Sequence, residues 1–228
     1  MKPKLLDLFC GAGGCARGYQ MAGFEVRGID HKPQPRYVGE EFIQADAFEY
    51  LAKLIASGEI EEFDVIHASP PCQAYSCATP AGDKKLHPDL IPDTRELLER
   101  AERPYVIENV IGAPLHNAIV LCGTMFGLKD TVENLWLKRH RIFESNIILF
   151  SPGGCFCSRV ETAFIGGHMG KLNRHPSHGN HSGIHNARIL LNIDWMKGDE
   201  LGQAIPPAYT EYIGRQLLAA IEAREAAE

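Results

Sequence analysis

Apolar residues in this chain fall into short runs that end at glycine or at an acid, the pattern of a buried parallel sheet with helices between its strands. Residues 4–9, Lys4-Leu5-Leu6-Asp7-Leu8-Phe9, alternate poorly and are mostly apolar, which predicts a strand buried on both faces. The glycine-rich turn Cys10-Gly11-Ala12-Gly13-Gly14 follows, then a helix to about Met21 that Ala22-Gly23-Phe24 stops. Glu25 to Ile29 predicts a second strand ending at Asp30, and Glu41 to Ala45 a third ending at Asp46. Phe48, Leu51, Leu54 and Ile55 recur at helical spacing and predict an amphipathic helix. Asp64 to Ala68 reads as a central strand, Thr94 to Arg103 as a helix, and Pro104 to Glu108 as another strand. His140 to Ile148 reads as a hairpin or paired strands.

Beyond Phe150 the periodicity nearly vanishes. Gly, His, Asn and Ser dominate as far as Asn192, which predicts an irregular lobe and not a second core. Order returns with a short helix from Asp199, a Pro206-Pro207 break and a final helix from about Ala208, with Glu222 to Glu228 frayed. The expected organisation is a catalytic and cofactor-binding domain over residues 1–149, a short lobe over 150–192, and helices over 193–228 that return to the first domain.

The central strand runs into Ser69-Pro70-Pro71-Cys72, and two prolines cannot continue a central strand. The corner therefore presents Cys72 at the strand's carboxyl end, the edge where open α/β sheets bind ligands. A thiol needs an electropositive neighbourhood to act as a nucleophile, and a small buried hydrophobe at a turn is the other reading. The long loop from Cys72 to about Asp93, rich in Pro, Gly and charge, predicts function in a compact domain.

Composition narrows the setting. No apolar run approaches a transmembrane length and no signal-peptide pattern follows Met1, which predicts no membrane partner. Seven cysteines, an odd number scattered unevenly, favour free thiols in a reducing cytoplasm. The net charge of −6 argues against indiscriminate coating of nucleic acid. Its distribution is uneven. Residues 138–191 hold seven Lys/Arg against Glu144 and Glu161, a net +5, so the remainder carries −11. One basic surface on an acidic body suits a localised polyanion site.

Three further patterns carry chemistry. The glycine turn lets a ligand approach the backbone at the positive end of a helix, and Asp30 stands where a carboxylate takes ribose hydroxyls. Gly11-x-Gly13-x-x-Ala16 also fits a dinucleotide fingerprint, so a nicotinamide-dependent dehydrogenase is a rival at this point. Glu108, at the carboxyl end of its strand, is costly to bury without a partner. Alternation in Arg139-His140-Arg141 points both guanidiniums to one side of a strand.

Taken together, the chain resembles the DNA (cytosine-C5) methyltransferases, and in particular their short phage-type members. Asp7-Leu8-Phe9-Cys10-Gly11-Ala12-Gly13-Gly14 is similar to the family's cofactor motif and Pro70-Pro71-Cys72-Gln73 to its nucleophile motif. Glu108-Asn109-Val110 and Arg139-x-Arg141 match two more, in the family's order. The resemblance implies an α/β, Rossmann-like S-adenosylmethionine-dependent fold with a mostly parallel sheet and a small target-recognition lobe. It implies double-stranded DNA as partner, and a restriction endonuclease as counterpart in a restriction–modification pair. Cys72 would attack C6 of a flipped-out cytosine, Glu108 would hold N3 and the exocyclic amine, Arg141 the base O2, and Arg139 the loop. Phe9, Gly11, Ala12, Gly13, Gly14 and Pro71 would surround the cofactor, with Asp30 on its ribose and Asp46 at its adenine amine. The same chemistry on tRNA, and a catalytically silent DNA-binding relative, are the alternatives within the resemblance.

Two departures from the family stand out. Gln203-Ala204-Ile205-Pro206-Pro207 replaces the usual Gln-x-Gly-Asn-Ser-like turn, and the stretch from Arg141 to Ile193 is short. That stretch holds Cys155-x-Cys157 with His168, His175, His178, His181 and His185. A zinc site is the lesser alternative, because Cys-x-Cys is tighter than ordinary zinc spacing and no second pair follows; polar DNA-contacting loops are expected and no metal is assigned. Arg159, Lys171, Asn173, Arg174, Asn180 and Arg188 are the side chains there that could read bases. So few predict a target of about two to four base pairs, or a relaxed one.

Overall fold

The computed structural model describes residues 2–77, 79–165, 180–181 and 184–226. A seven-stranded sheet has the order β3-β2-β1-β4-β5-β9-β6. Its strands are β1 (Lys4–Leu8), β2 (Glu25–Asp30), β3 (Glu41–Gln44), β4 (Val65–Ala68), β5 (Tyr105–Asn109), β6 (Ile119–Leu121) and β9 (Arg141–Ser145). The first five are mutually parallel, and β9 runs antiparallel between β5 and β6. The expected pairing within His140–Ile148 is therefore one strand, whose partners come from far along the chain.

Both faces of β1 are buried, which explains its poor alternation. Leu6 and Leu8 pack toward α2 (Ala47–Ser57) and α3 (Ile91–Arg100), through Leu51, Leu54, Leu97 and Leu98. Leu5 faces the other way, onto α1 (Gly14–Ala22) and α6 (Pro207–Glu225), through Tyr19, Tyr209 and Ile213. Each fully buried Leu, Ile or Phe adds about 1.5–3 kcal/mol to such a core. Helix α3 begins at Ile91, with a proline in its first turn, earlier than Thr94 because that proline fits where no N–H is needed. Helix α6 likewise starts at Pro207, and it continues to Glu225 where fraying was expected.

A second, four-stranded sheet has the order β11-β10-β8-β7. It takes β7 (Lys129–Asp130) and β8 (Leu135–Leu137) from before the lobe, and β10 (Thr162–Phe164) and β11 (Asn180–His181) from within it. Helix α4 (Ile184–Leu191) lies in the stretch expected to be irregular. Its Ala187, Leu190 and Leu191 are buried with Leu137, Ile165, Met196 and, from α5 (Gly198–Gln203), Leu201. Three apolar residues at i, i+3 and i+4 suffice for a helix once a partner surface exists, although Gly, His and Asn surround them. Among the described residues no helix is long and apolar enough to cross a membrane.

Strands β2 and β4 flank β1 on opposite sides, so the chain reverses its direction of travel across the sheet at β1. The turns after β1 and β4 thus open onto the same crevice at the carboxyl edge, the place such sheets reserve for ligands.

Candidate active site

The Pro-Pro corner is held from the neighbouring strand. Asn109, the last residue of β5, donates from Nδ2 to the Pro70 carbonyl at 3.0 Å. The Cys72 carbonyl then accepts from the amides of Tyr75 and Ser76 at 2.9 and 2.8 Å, so the chain turns sharply with Cys72 half-buried at its start. Glu108, one residue before Asn109, is buried and pairs with Arg141, Nε to Oε1, at 3.2 Å. Burial raises the Glu108 carboxyl, opposed by Arg141 and by a hydrogen bond from Ser69. Burial also pushes the Cys72 thiol up, opposed by Arg141 and reinforced by the Glu108 charge. A nucleophile candidate, an acid and a guanidinium therefore share one field beyond the ends of β4 and β5 and at the start of β9.

Behind Glu108 runs a buried polar chain. Ser69 Oγ lies 2.9 Å from His67 Nε2, and His67 Nδ1 lies 2.8 Å from the Tyr19 hydroxyl. Burial pulls the His67 imidazole down to about 3, so it stays neutral. Sequence reasoning missed His67 and Ser69, because a polar residue within an apolar run looks like noise.

The two arginines part company. Arg141 opens β9 and faces Glu108, whereas Arg139 precedes the strand and is 2% exposed. Its Nη1 and Nη2 donate to the carbonyls of Ile165 at 2.6 Å and Gly202 at 2.9 Å. Burial, with Arg141 beside it, pulls the Arg139 guanidinium down to about 9. The expected alternation fails because only one of the two residues is in the strand. Arg139 ties β10's exit and α5 to the active edge.

At the glycine turn, Asp30 accepts from the Gly11 amide at 3.0 Å through Oδ2 and from the Lys32 amide at 2.9 Å through Oδ1. Phe9 and Gly13 sit at φ 59° and 86°, left-handed values that put Phe9 under strain and suit glycine at 13. Phe9 stacks edge-on against Phe48 at 5.8 Å, above an apolar hollow that Ala47, Leu51 and Leu97 also line. Asp46 is exposed beside it and caps α2, its Oδ1 accepting from the Phe48 and Glu49 amides. Gly14 faces elsewhere. A Cβ there would come 2.6 Å from the Ile205 carbonyl, so this glycine lets the C-terminal segment approach α1. Trp195 Nε1 donates to the Ala12 carbonyl at 2.9 Å, closing the turn from the same side. Pro71 is exposed at the mouth between the two turns.

Asp7 is another residue that the sequence reading left unassigned. It is fully buried in β1, and neither carboxylate oxygen has a hydrogen-bond partner. Burial holds its carboxyl well above the usual range, and the Asp30 carboxylate adds to this. A folded-state pKa above the unfolded one gives stability at low pH that is lost as pH rises through it. Asp7→Asn is therefore expected to stabilise the ligand-free protein near neutrality, by about 1–3 kcal/mol. Thermal melts of both proteins should diverge as pH rises from 5 to 8. Parallel curves would mean that the carboxylate has a partner in solution.

Of the lobe's candidate ligands, Cys155 and Cys157 meet Cys122 and His140. His185 is exposed, and His168, His175, His178, Lys171, Asn173 and Arg174 lie outside the described residues. Arg188 donates to the Met196 carbonyl from Nε and Nη2, at 3.2 and 2.8 Å, and so braces α4.

Residues 3–119 match the family model of the C-5 cytosine-specific DNA methylases. The chain belongs to this family. Among curated proteins, the type II methyltransferase M.AgeI of Thalassovita gelatinovora is 30% identical over 123 residues, 48% of this chain and 28% of that protein. M.OihORF3336P of Oceanobacillus iheyensis, assigned as a type II methyltransferase, is 26% identical over 226 residues, 86% of this chain and 47% of that protein. The chain thus spans less than half the length of these relatives. Two solved structures share its fold nearly end to end. A prophage-encoded E. coli protein, assigned as a DNA modification methyltransferase, aligns with TM-score 0.56 at 15% identity over 96% of this chain and 99% of that one. The S. pombe Dnmt2 methyltransferase aligns with TM-score 0.57 at 13% identity, over 97% and 99%. The fold is the Rossmann-like one of S-adenosylmethionine-dependent methyltransferases, and the dehydrogenase alternative falls away with the family match.

Proposed function

We propose that this methylase transfers a methyl group from S-adenosylmethionine to C5 of a cytosine flipped out of double-stranded DNA, through a covalent bond from Cys72 to C6. The observation that carries this reading is the convergence of Cys72, Glu108 and Arg141 on the edge that also holds the glycine turn. The cofactor suits the residues present. Asp7 offers an acceptor with no partner to a cationic ligand, Asp30 stands beside Gly11, and Phe9 and Phe48 line an apolar hollow beside the turn. When bound, S-adenosylmethionine supplies an electrophilic methyl carried on a sulfonium.

The residues then divide the work. Cys72 loses its proton and adds to C6, and Arg141 is the cation that makes this loss easier. Glu108, whose raised pKa favours its protonated form, donates to N3 as the ring gains electron density. After C5 is methylated its proton leaves, and the electron pair expels Cys72. The lobe over 150–192 reads the target, and the type II naming of the relatives supports a restriction endonuclease as counterpart.

Labelled S-adenosylmethionine with duplex DNA, or with tRNA, tests the assignment. Label in DNA is expected. Label in tRNA alone would move the substrate, and label in neither would reduce the chain to a silent relative. Asp30→Ala should weaken cofactor binding by about 1.5–3 kcal/mol by calorimetry, because a charged hydrogen-bond partner is lost. Unchanged affinity would place the ribose elsewhere.

A further inference from the structure

The cysteine pair of the lobe is half of a larger cluster. Cys122 stands just after β6, and His140 stands between the two arginines. Their ligand atoms and those of Cys155 and Cys157 all lie within 4.8 Å of one another. His140 Nε2 is 3.4 Å from Cys155 Sγ and 3.6 Å from Cys157 Sγ. A tetrahedral zinc with Zn–S of about 2.3 Å and Zn–N of about 2.0–2.1 Å sets a sulfur and a nitrogen about 3.6 Å apart, and two sulfurs about 3.8 Å apart. The cluster is already close to those dimensions. We propose that Cys122, His140, Cys155 and Cys157 bind one zinc ion as a structural Cys3His site.

The surroundings suit thiolates. The Cys157 amide donates to Cys155 Sγ at 3.4 Å. The buried Thr124 hydroxyl lies 3.6 Å from Cys122 Sγ and 3.3 Å from Cys155 Sγ. Such outer donors orient metal-bound sulfur and temper its charge. Three thiolates and one neutral imidazole select zinc over the hard cations, and four protein ligands leave no open position for catalysis. The residual single negative charge sits on a segment carrying Lys138, Arg139 and Arg141. The sequence pattern hides the site because its ligands come from three separate segments.

The ion would clip the sheet edge after β6, the arginine segment and the lobe to one point. His140 is adjacent to both Arg139 and Arg141, so its ring orientation bears on where those guanidiniums stand. The site is thus a positioning device for the active edge, and it exists whether or not the chain methylates DNA.

Its deciding test is metal binding by the full chain, kept reduced, stripped with a chelator and titrated with Co²⁺. Expected are thiolate charge-transfer absorption and the intense d–d bands of a tetrahedral site, saturating at about one equivalent and abolished by Zn²⁺. Cys155→Ser and Cys157→Ser should each weaken Zn²⁺ binding about 100-fold or more, whereas Cys77→Ser, an exposed thiol outside the cluster, should not. If a serine variant misfolds, the wild-type titration alone decides. Absence of the tetrahedral spectrum, or its persistence in a folded Cys155→Ser protein, overturns the proposal.

Discussion

A Cys72→Ala protein is expected to transfer methyl groups at background level, about 10⁴-fold or more below wild type, while binding S-adenosylmethionine almost normally. The separation follows from where the parts sit. The thiol stands just beyond the end of β4, whereas the glycine turn proposed to hold the cofactor is built after β1 and braced by Asp30 of β2. It is the Cys72 carbonyl, not the thiol, that accepts the Tyr75 and Ser76 amides, so alanine preserves the corner. Calorimetry and a methyl-transfer assay on the same preparation check both halves. A duplex containing 5-fluorocytosine should also trap wild type covalently, because fluorine does not leave C5 as a proton does. Trapping that survives in Cys72→Ala would transfer the role to another thiol, the exposed Cys77 being nearest in sequence.

The second large effect is expected at Glu108. Glu108→Gln keeps the size of the side chain and a hydrogen-bonding group toward Ser69, but removes the carboxyl proton that would be transferred to the base. Turnover should fall about 10²–10⁴-fold, the usual worth of a positioned acid. The pH profile gives the sharper signature. A raised pKa keeps Glu108 protonated to higher pH than an ordinary glutamate, and activity is lost as pH rises through it. That alkaline limb should vanish in Glu108→Gln while cofactor affinity holds. A variant with wild-type turnover would remove Glu108 from the chemistry.

The parallel strands and the positions of Cys72 and Glu108 were legible because β1, β4 and β5 are buried on both faces and end at a corner or an acid. Strand β9 was legible as extended chain but not in its pairing, since its partners β5 and β6 belong to other parts of the sequence. Alternation misjudged Arg139 for a related reason. Nothing local reveals that the Ile165 and Gly202 carbonyls will claim its guanidinium. Asp7 and His67 were illegible as site residues because burial, the property that makes them chemically unusual, is set by the neighbouring strands and helices. The cluster of Cys122, His140, Cys155 and Cys157 is a tertiary fact of the same kind.

The seam between α1 and α6 joins segments that lie far apart along the chain. Thr210 Oγ1 donates to the Cys15 carbonyl across 195 residues, and Trp195 reaches Ala12 across 183. Until Pro207 and its successors are synthesised, the face of α1 that carries Gly18 lacks the helix that packs on it. Contacts so distant in sequence must wait for loop closure, which slows folding. Translation should therefore yield no active species before helix α6 leaves the ribosome.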